Sequence, residues 1–424
     1  VQAPVARADK ILVQIDGVSD AGFPVAIPDF APLDGTQDLQ FGSDAHQVVL
    51  GDLRMVPVFQ VMDPKAYVED GRRAGIREGE FNFEDWRVIG ALGLAKCGIR
   101  VGPGGEAQAE VRVYDVEAGS LIAAKLVGGG KASARALGHK VADVIYEAFT
   151  GEKGIFSSRI AAVTTVKGNK EVVLLDVDGG NLTPITKNGA INISPAVSPD
   201  GGAVAYTSFK DGNPDLFLTE LGAGPTVKIS SRQGINTGAA WSPDGSTLAV
   251  TLSKDGDSEI YLLNRRGEIQ QRLTRSWGID VSPTWSPDGQ RIAFVSAREG
   301  TPQIFVMDRS GGNLRRLTFA GNHNVSPAWS PDGKKIAFAG RDEGRFDLFV
   351  IDADGANLRR LTQAPGDDED PSWSPDGRYI VFSSDREGRG KQLYVTTWDG
   401  RNPVRITDGR GTYTNPDWGP RLGD

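Results

Sequence analysis

The sequence predicts a two-domain protein, in which an N-terminal α/β sandwich precedes a C-terminal six-bladed β-propeller closed by its C-terminal strand. The tetrapeptide Ser-Pro-Asp-Gly occurs five times, and four of the copies follow a Trp that recurs every 44 residues, the length of a propeller blade. With 424 residues in the chain, these repeats leave an N-terminal segment of ordinary domain size. We expect a mobile arm at residues 1–10, the α/β domain at 11–154 and the propeller at 155–424.

Strands and helices alternate along the first part of the N-terminal domain. Apolar stretches at 10–16 and 23–30 predict extended segments. Ser43 or Asp44 is expected to cap a first helix, because apolar residues recur at helical spacing after them in the sequence. A strand at 56–61, a charged loop at 63–80 and a second helix capped by Asn82 are expected to follow.

The rest of this domain is predicted to be mainly a hairpin and a long helix. Strands are expected at 99–101, 107–116 and 121–127, the last two joined across 117–119. Residues 128–131, Gly-Gly-Gly-Lys, lack the Ser or Thr of a phosphate loop and are predicted to form the turn into the helix. The helix has one apolar stripe, formed by Leu137, Val141, Val144, Ile145 and Phe149.

Each propeller repeat contains the elements of a four-stranded blade. In the unit that begins at Ser326, strands are expected at 326–329, 335–339, 347–352 and 359–362. Pro331 and Gly333 suit the turn between the first two strands, since Pro presets φ and Gly accepts positive φ. We therefore interpret the repeated Asp-Gly pairs as turn residues.

The two ends of the repeat array are incomplete in complementary ways. Residues 159–186 match the second, third and fourth strands of a blade, whereas residues 413–420 match a first strand alone. We therefore expect the C-terminal strand to complete the N-terminal blade, which closes a ring of six blades without a free inner edge.

Composition and charge exclude several classes of function. The net charge of −8 argues against nucleic-acid binding, and no run of 18 apolar residues is present to span a membrane. The sequence begins at Val1 instead of Met, which is consistent with an exported protein after removal of a signal peptide. Cys97 is the only cysteine and is expected to be buried and inert at a helix-to-strand junction.

Catalytic and metal-binding motifs are scarce. The chain has three histidines, of which His46 and His139 are expected on helix faces and His323 in a blade loop. No Gly-x-Ser-x-Gly motif occurs. The acidic run at 366–370 could bind Ca²⁺, although a solvated loop explains it equally well. We predict no enzymatic activity, no cofactor and no metal.

The repeats resemble those of the TolB family. The resemblance rests on the Trp-Ser-Pro-Asp-Gly segments, on strands such as 291–296 and 303–308, and on Leu-Thr endings such as Leu361-Thr362. Segments 11–16, 25–30 and 148–156 are similar to the family as well, so the resemblance covers essentially the whole chain. It implies a periplasmic, non-enzymatic component of the Tol-Pal system of Gram-negative bacteria, which supports outer-membrane integrity and constriction at division.

The resemblance also implies two protein partners, the lipoprotein Pal and the inner-membrane protein TolA, and we expect a monomer. In the family, Pal binds the propeller mouth, built from the loops that enter the innermost strands. The implied Pal-binding residues are Asn192, Ile193, Ile235, Asn236, Thr237, Gly238, Ile279, Asp280, Val281, His323, Asn324, Val325, Asp368, Glu369, Thr412 and Tyr413. The implied TolA-binding arm comprises Val1, Gln2, Ala3, Pro4, Val5, Ala6, Arg7 and Ala8.

Two other classes of function stay open at this point. A propeller enzyme or glycan-binding propeller could use carboxylates in its channel, with Asp280, Asp368, Glu369 and Asp370 as the candidate residues. A propeller that recruits a separate protease would instead bind a hydrolase partner.

Overall fold

The computed structural model of the chain describes residues 22–33, 38–166, 168–342 and 344–422. The chain divides into two compact units between Ser157 and Ser158. The predicted strand at 10–16 and the predicted arm at 1–10 lie outside the described residues. Both therefore stay predictions.

The first unit contains a mixed six-stranded sheet. Its strand order is β3-β1-β4-β5-β6, and β2 pairs with β4. Pairs among β1, β2, β3 and β4 are parallel, whereas β4-β5 and β5-β6 are antiparallel. The strands are β1 (Phe23–Ala26), β2 (Ala31–Pro32), β3 (Phe59–Val61), β4 (Gly93–Val101), β5 (Glu106–Asp115) and β6 (Ser120–Lys131).

The helices of this unit are α1 (Leu39–Met55), α2 (Phe83–Arg87) and α3 (Ala134–Thr150), with a 3₁₀ turn at Pro64–Ala66. Helix α1 starts earlier than predicted, because Asp38 and neither Ser43 nor Asp44 caps it. The Asp38 carboxylate accepts a hydrogen bond from Phe41 N at 2.9 Å, satisfying an amide that has no partner within the helix. Asn82 caps α2 as predicted, with its side chain accepting from Glu84 N.

Helix α3 buries the predicted stripe of Leu137, Val141, Val144, Ile145 and Phe149. It packs closely on α1 at Gly138, where a Cβ atom would lie 2.8 Å from Ala45 O. Gly151 ends the helix in the left-handed conformation with φ of 74°.

Two local predictions in this unit are wrong. Cys97 lies in the middle of β4 and not at a helix-to-strand junction, because the strand begins at Gly93. It is buried, which raises the pKa of its thiol. Residues 128–131 are the end of β6 and not a turn, since Lys131 pairs with Glu106 across a β-bulge. Positive φ at Gly128 and Gly129 permits this bulge.

The charged loop at 63–80 covers part of the sheet. Ile76 O accepts a hydrogen bond from the buried Tyr114 hydroxyl at 2.5 Å. The Tyr67 ring packs edge-on against Trp86 at 5.1 Å, and Glu69 pairs with the buried Lys96. A loop that looks solvated in sequence therefore contributes to the domain core.

The second unit is a propeller of six four-stranded antiparallel sheets, as predicted. The strands, from innermost to outermost, are β30 (Tyr413–Arg421), β7 (Ser158–Val166), β8 (Asn169–Asp176) and β9 (Thr183–Pro184) in blade 1; β10 (Asn192–Val197), β11 (Ala203–Ser208), β12 (Asp215–Glu220) and β13 (Thr226–Ser230) in blade 2; β14 (Asn236–Trp241), β15 (Thr247–Leu252), β16 (Glu259–Asn264) and β17 (Ile269–Arg272) in blade 3; β18 (Asp280–Trp285), β19 (Arg291–Ser296), β20 (Gln303–Asp308) and β21 (Arg315–Arg316) in blade 4; β22 (His323–Trp329), β23 (Lys335–Asp342), β24 (Arg345–Asp352) and β25 (Arg359–Arg360) in blade 5; and β26 (Asp368–Trp373), β27 (Tyr379–Ser384), β28 (Gln392–Thr397) and β29 (Val404–Arg405) in blade 6.

The Ser, Asp and Gly of the Ser-Pro-Asp-Gly turn each have a structural role. In blade 5 the Ser330 hydroxyl donates to Asp332 at 2.6 Å and accepts from Lys335 N at 2.9 Å. The Asp332 carboxylate also accepts from Lys334 N, and Gly333 has φ of 73°. The same Ser-to-Asp bond is present at Ser198, Ser242, Ser286 and Ser374. The motif therefore recurs because the turn requires it.

Most of the Trp residues that mark the period connect neighbouring blades, whereas Trp329 donates to Gly333 O of its own blade at 3.1 Å. The Trp285 indole donates to Ala240 O of the preceding blade at 3.2 Å, and Trp241 and Trp373 form the equivalent bonds. Trp418, on β30, donates instead to the Ser158 hydroxyl on β7 at 2.8 Å. The C-terminal strand thus completes blade 1, as the sequence predicts.

Candidate functional site: the mouth of the propeller

The six innermost strands surround a central channel of about 580 Å³. Each of these strands contains a β-bulge at the same place in the repeat. The residues at the bulge have positive φ and line the channel: Ser194, Gly238, Ser282, Ser326, Asp370 and Asn415. This bulge interrupts the register of each innermost strand and turns these positions toward the channel.

The propeller has two faces with different loops. The antiparallel order of each blade puts the Ser-Pro-Asp-Gly turns on one face, which we call the turn face. The opposite face, the mouth face, carries the loops that lead from the outermost strand of one blade to the innermost strand of the next. The residues that the family resemblance implies for Pal binding lie at this transition.

Most of these residues begin a strand and do not lie in a loop, which corrects the sequence interpretation. Only Ile235, Ile279 and Thr412 precede a strand, and the other candidates lie within β10, β14, β18, β22, β26 or β30. Six of the candidates are buried: Asn192, Asn236, Asp280, Asn324, Asp368 and Tyr413. Burial removes their side chains from direct contact with a partner.

Five of these buried side chains belong to a hydrogen-bond network that recurs from blade to blade. In blade 5 the Asn324 amide donates to Gln303 Oε1 at 2.7 Å, and the Thr318 hydroxyl donates to the same oxygen. Thr318 also accepts from Ile304 N at 2.9 Å. The network joins the outer strands of one blade to the inner strand of the next, which explains the repeated Leu-Thr ending.

Two blades replace the amide of this network with a carboxylate paired to arginine. Asp280 accepts from Arg298 Nη2 at 2.7 Å, and both oxygens of Asp368 accept from Arg386 Nη2 at 3.0 Å. These aspartates are therefore held by protein donors and contribute to the frame of the mouth.

The other candidates reach the surface to different degrees. Ile235 and Ile279 are exposed, whereas the remaining ones are partly buried: Ile193, Thr237, Gly238, Val281, His323, Val325, Glu369 and Thr412. Glu369 forms an ion pair with Lys391, and the His323 ring packs edge-on against Phe346 at 5.5 Å. Burial, followed by the charge of Arg341, lowers the pKa of His323.

The four carboxylates proposed for a catalytic or glycan-binding channel are not brought together there. Of Asp280, Asp368, Glu369 and Asp370, only Asp370 lines the channel, and the other three are paired with basic side chains. Asp370 accepts hydrogen bonds from Ser326 Oγ at 3.0 Å and Asn415 Nδ2 at 2.9 Å. Burial raises the pKa of Asp370 despite these donors. The arrangement does not form the paired carboxylates of a hydrolase site.

The acidic run at 366–370 is likewise occupied by protein donors. Asp367 accepts from Phe346 N at 2.8 Å, and the next three carboxylates are bonded as described above. Each side chain of the run thus has a structural partner, which favours the loop and strand interpretation over a Ca²⁺ site.

Asp417, the second carboxylate that lines the channel, predicts a pH effect on stability. Burial raises its pKa to about 6, although Val197 N donates to it at 2.7 Å. Since this pKa lies above that of an unfolded Asp, stability falls as the pH rises from about 4 to 6 and stays level above that. We expect Asp417→Asn to raise the melting temperature at pH 7.5 by about 2–4 °C and to have no effect near pH 4. Thermal denaturation at both pH values measures this, and an equal shift at both would contradict it.

Sequence reasoning missed two exposed aromatic residues on the mouth face. Trp277 precedes β18 and Phe319 precedes β22, and both rings are largely exposed. Neither belongs to the strand pattern or to the repeated turns. Their signal in the sequence was a departure from the repeat, since most equivalent loop positions carry small or polar residues.

Six four-stranded blades around one channel, preceded by an α/β domain, define a two-domain propeller protein with an exposed apolar mouth. Residues 146–422 match the family model of the TolB beta propeller domain, and residues 11–122 match that of the TolB amino-terminal domain. The chain therefore belongs to the TolB family.

Sequence relatives and a solved structure agree with this assignment. The Tol-Pal system protein TolB of Anaeromyxobacter dehalogenans is 41% identical over 194 residues, which cover 44% of each chain. That of Geobacter sulfurreducens is 41% identical over 201 residues, 47% of this chain and 46% of the relative. The chain thus aligns with somewhat less than half the length of these relatives. The crystal structure of TolB from Acinetobacter baumannii matches with a TM-score of 0.82 and 29% identity, covering 95% of this chain and 97% of that one.

Proposed function

We propose that this protein is a periplasmic, non-enzymatic component of the Tol-Pal system that binds Pal through the mouth face of its propeller. In this proposal an N-terminal arm, residues 1–8, binds TolA, and the protein supports outer-membrane integrity and cell division. Family membership and relatives named for the Tol-Pal system support the proposal. No helix within the described residues has the length and apolar content needed to cross a bilayer.

The observation that carries the proposal is a row of exposed isoleucines on the mouth face. Ile191, Ile235 and Ile279 occupy the same position in consecutive repeats and are 48%, 42% and 44% exposed. Each directly precedes a buried member of the hydrogen-bond network, Asn192, Asn236 or Asp280. Large apolar side chains repeated at a surface position are typical of a protein-binding site.

The backbone of this row is held in place before any partner binds. Phe209 N donates to Ile191 O at 2.9 Å, Ser253 N to Ile235 O at 3.1 Å and Ala297 N to Ile279 O at 3.0 Å. A partner that binds here orders few new groups, which reduces the entropic cost of association. The buried candidates therefore act by positioning, and the exposed ones by contact.

Replacing Ile235 and Ile279 together by Ala is expected to weaken Pal binding about tenfold, because two exposed apolar contacts are lost. Calorimetric titration with soluble Pal from the same genome measures the effect. Leu358→Ala is a matched control, since Leu358 is similarly exposed but precedes β25 on the turn face. Asp280 and Asp368 are unsuitable targets, because removing either leaves an arginine without its partner. Absence of saturable binding to the intact protein would disprove the Pal assignment.

Deleting residues 1–8 is expected to abolish TolA binding and to leave Pal binding unchanged, since the proposal puts the two partners on different segments. The same calorimetric titration with soluble TolA measures the first effect. Unchanged TolA affinity after the deletion would exclude the arm as its binding site.

A further inference from the structure

Comparing residues 44 positions apart shows which residue types the fold requires in every blade and which occur in one blade only. Trp277 is 90% exposed and Phe319 is 73% exposed. The residues one or more periods away from Trp277 are Gly189, Gln233, Gly321 and Pro365, and those away from Phe319 are Lys187, Ser231, Arg275 and Gln363. Since the other blades are built without an aromatic residue at these positions, the fold does not require either ring.

The loop that carries Trp277 is anchored although its indole is exposed. Ser276 N donates to the buried Glu259 carboxylate at 2.9 Å, and the Ser276 hydroxyl donates to Asp280 at 3.0 Å. Among the described residues, no side chain stacks on the indole or accepts a hydrogen bond from it. The large apolar ring thus projects from a fixed backbone, as expected for an interface anchor.

Phe319 lies on the next inter-blade loop of the same face and is also held in place. The Arg316 guanidinium lies 4.9 Å from the centre of its ring. Arg316 in turn pairs with Glu299 at 2.8 Å and donates to Thr318 O. One face of the ring is therefore covered by its own loop, while most of the ring is available to a partner.

A positive charge accompanies these aromatic rings. Arg275 is exposed, and no carboxylate of the described residues lies within ion-pair distance of it. A twofold contact of two copies through this loop would bring the two Arg275 side chains together, which is unfavourable. The chemistry fits a different protein that offers an apolar pocket with a carboxylate at its rim.

We propose that Trp277 and Phe319 form an aromatic anchor pair for Pal, with Arg275 pairing with a carboxylate of that partner. This inference rests on the proposed function and specifies it. Pal then binds off-centre, over the loops that join blades 3, 4 and 5, and the isoleucine row extends the contact toward blade 2. The anchors carry most of the affinity.

The test is calorimetric titration of soluble Pal into the full chain and its variants. We expect Trp277→Ala to weaken binding about thirtyfold, as truncation of a central aromatic anchor does. Arg275→Ala is expected to weaken it about threefold and to make it less sensitive to salt. Leu358→Ala and Arg266→Ala are the controls, since both residues are exposed on the turn face and are expected to leave binding unchanged.

The outcomes distinguish this inference from the proposed function. If the intact protein binds no Pal, the proposed function fails and the inference with it. If the intact protein binds Pal and Trp277→Ala binds equally well, the anchor pair is disproved while the Pal assignment stands. Sedimentation of the intact protein tests whether a second copy of the chain binds this surface instead. A dimer that Trp277→Ala dissociates would show that a second copy, and not Pal, occupies it.

Discussion

Replacing Asp368 by Ala is expected to lower the free energy of unfolding of the propeller by about 3–5 kcal/mol, the usual cost of removing one partner from a buried ion pair. The Asp368 side chain is fully buried, and the Arg386 side chain that donates to both of its oxygens is 13% exposed. The variant leaves a largely buried guanidinium of blade 6 without its counterion. Chemical denaturation followed by tryptophan fluorescence measures the loss, because all but one of the eight Trp residues lie in the propeller.

Two further variants test the reason for this loss. Asp257→Ala removes an exposed carboxylate from a loop on the same face and is expected to change stability by less than about 0.5 kcal/mol. Asp368→Leu combined with Arg386→Met removes both charges and is expected to recover much of the loss, since apolar side chains can replace a buried pair. A loss below about 1 kcal/mol for Asp368→Ala alone would show that the pair does not stabilise blade 6.

Truncating the chain after Gly411 is expected to abolish cooperative unfolding of the propeller. The deletion removes β30, and with it the innermost strand of blade 1 and its pairing with β7. The strand also contacts both neighbouring blades: Trp418 N donates to Ser372 Oγ at 2.9 Å, and Asp417 accepts from Val197 N at 2.7 Å. An open ring would expose the inner edge of β7, where further chains can pair. Thermal denaturation by circular dichroism and sedimentation measure both consequences.

Point variants of Trp418 serve as matched controls for the truncation. Trp418→Phe keeps an aromatic ring and loses only the hydrogen bond to Ser158, so we expect a cost of about 1 kcal/mol. Trp418→Ala is expected to cost about 3–5 kcal/mol while the ring remains closed. A cooperative melt of the truncated chain at the temperature of the intact protein would contradict the role of β30 in closure.

The architecture of the propeller was predictable because its signals are local. Ser-Pro-Asp-Gly specifies a turn through bonds among residues such as Ser330, Asp332 and Lys335, which are neighbours in sequence. The first helix was misplaced for the opposite reason. Asp38, Ser43 and Asp44 are all possible caps, and the choice among them depends on where the chain enters the helix from the sheet.

The location of the mouth residues in the repeat could be predicted, but which of their side chains are buried could not. Asn192 and Asn324 are polar residues before a strand, which is also what an exposed loop looks like. Their burial follows from partners on the preceding blade, such as Glu171 and Gln303, about 21 residues earlier. No local pattern reveals such a pairing. Trp277 was missed because the sequence interpretation rested on residues that repeat from blade to blade, and Trp277 occurs in one blade only.

The recurring Asn and Thr network has a consequence for how such a surface can change. Because five of the six inter-blade loops lead into this network, the exposed residues of one loop can vary without altering the attachment of the next. Substitutions of exposed side chains in well-separated loops should then combine additively. The loops of such a ring can therefore be altered one at a time, so that a single propeller can present a different set of surface side chains at each blade.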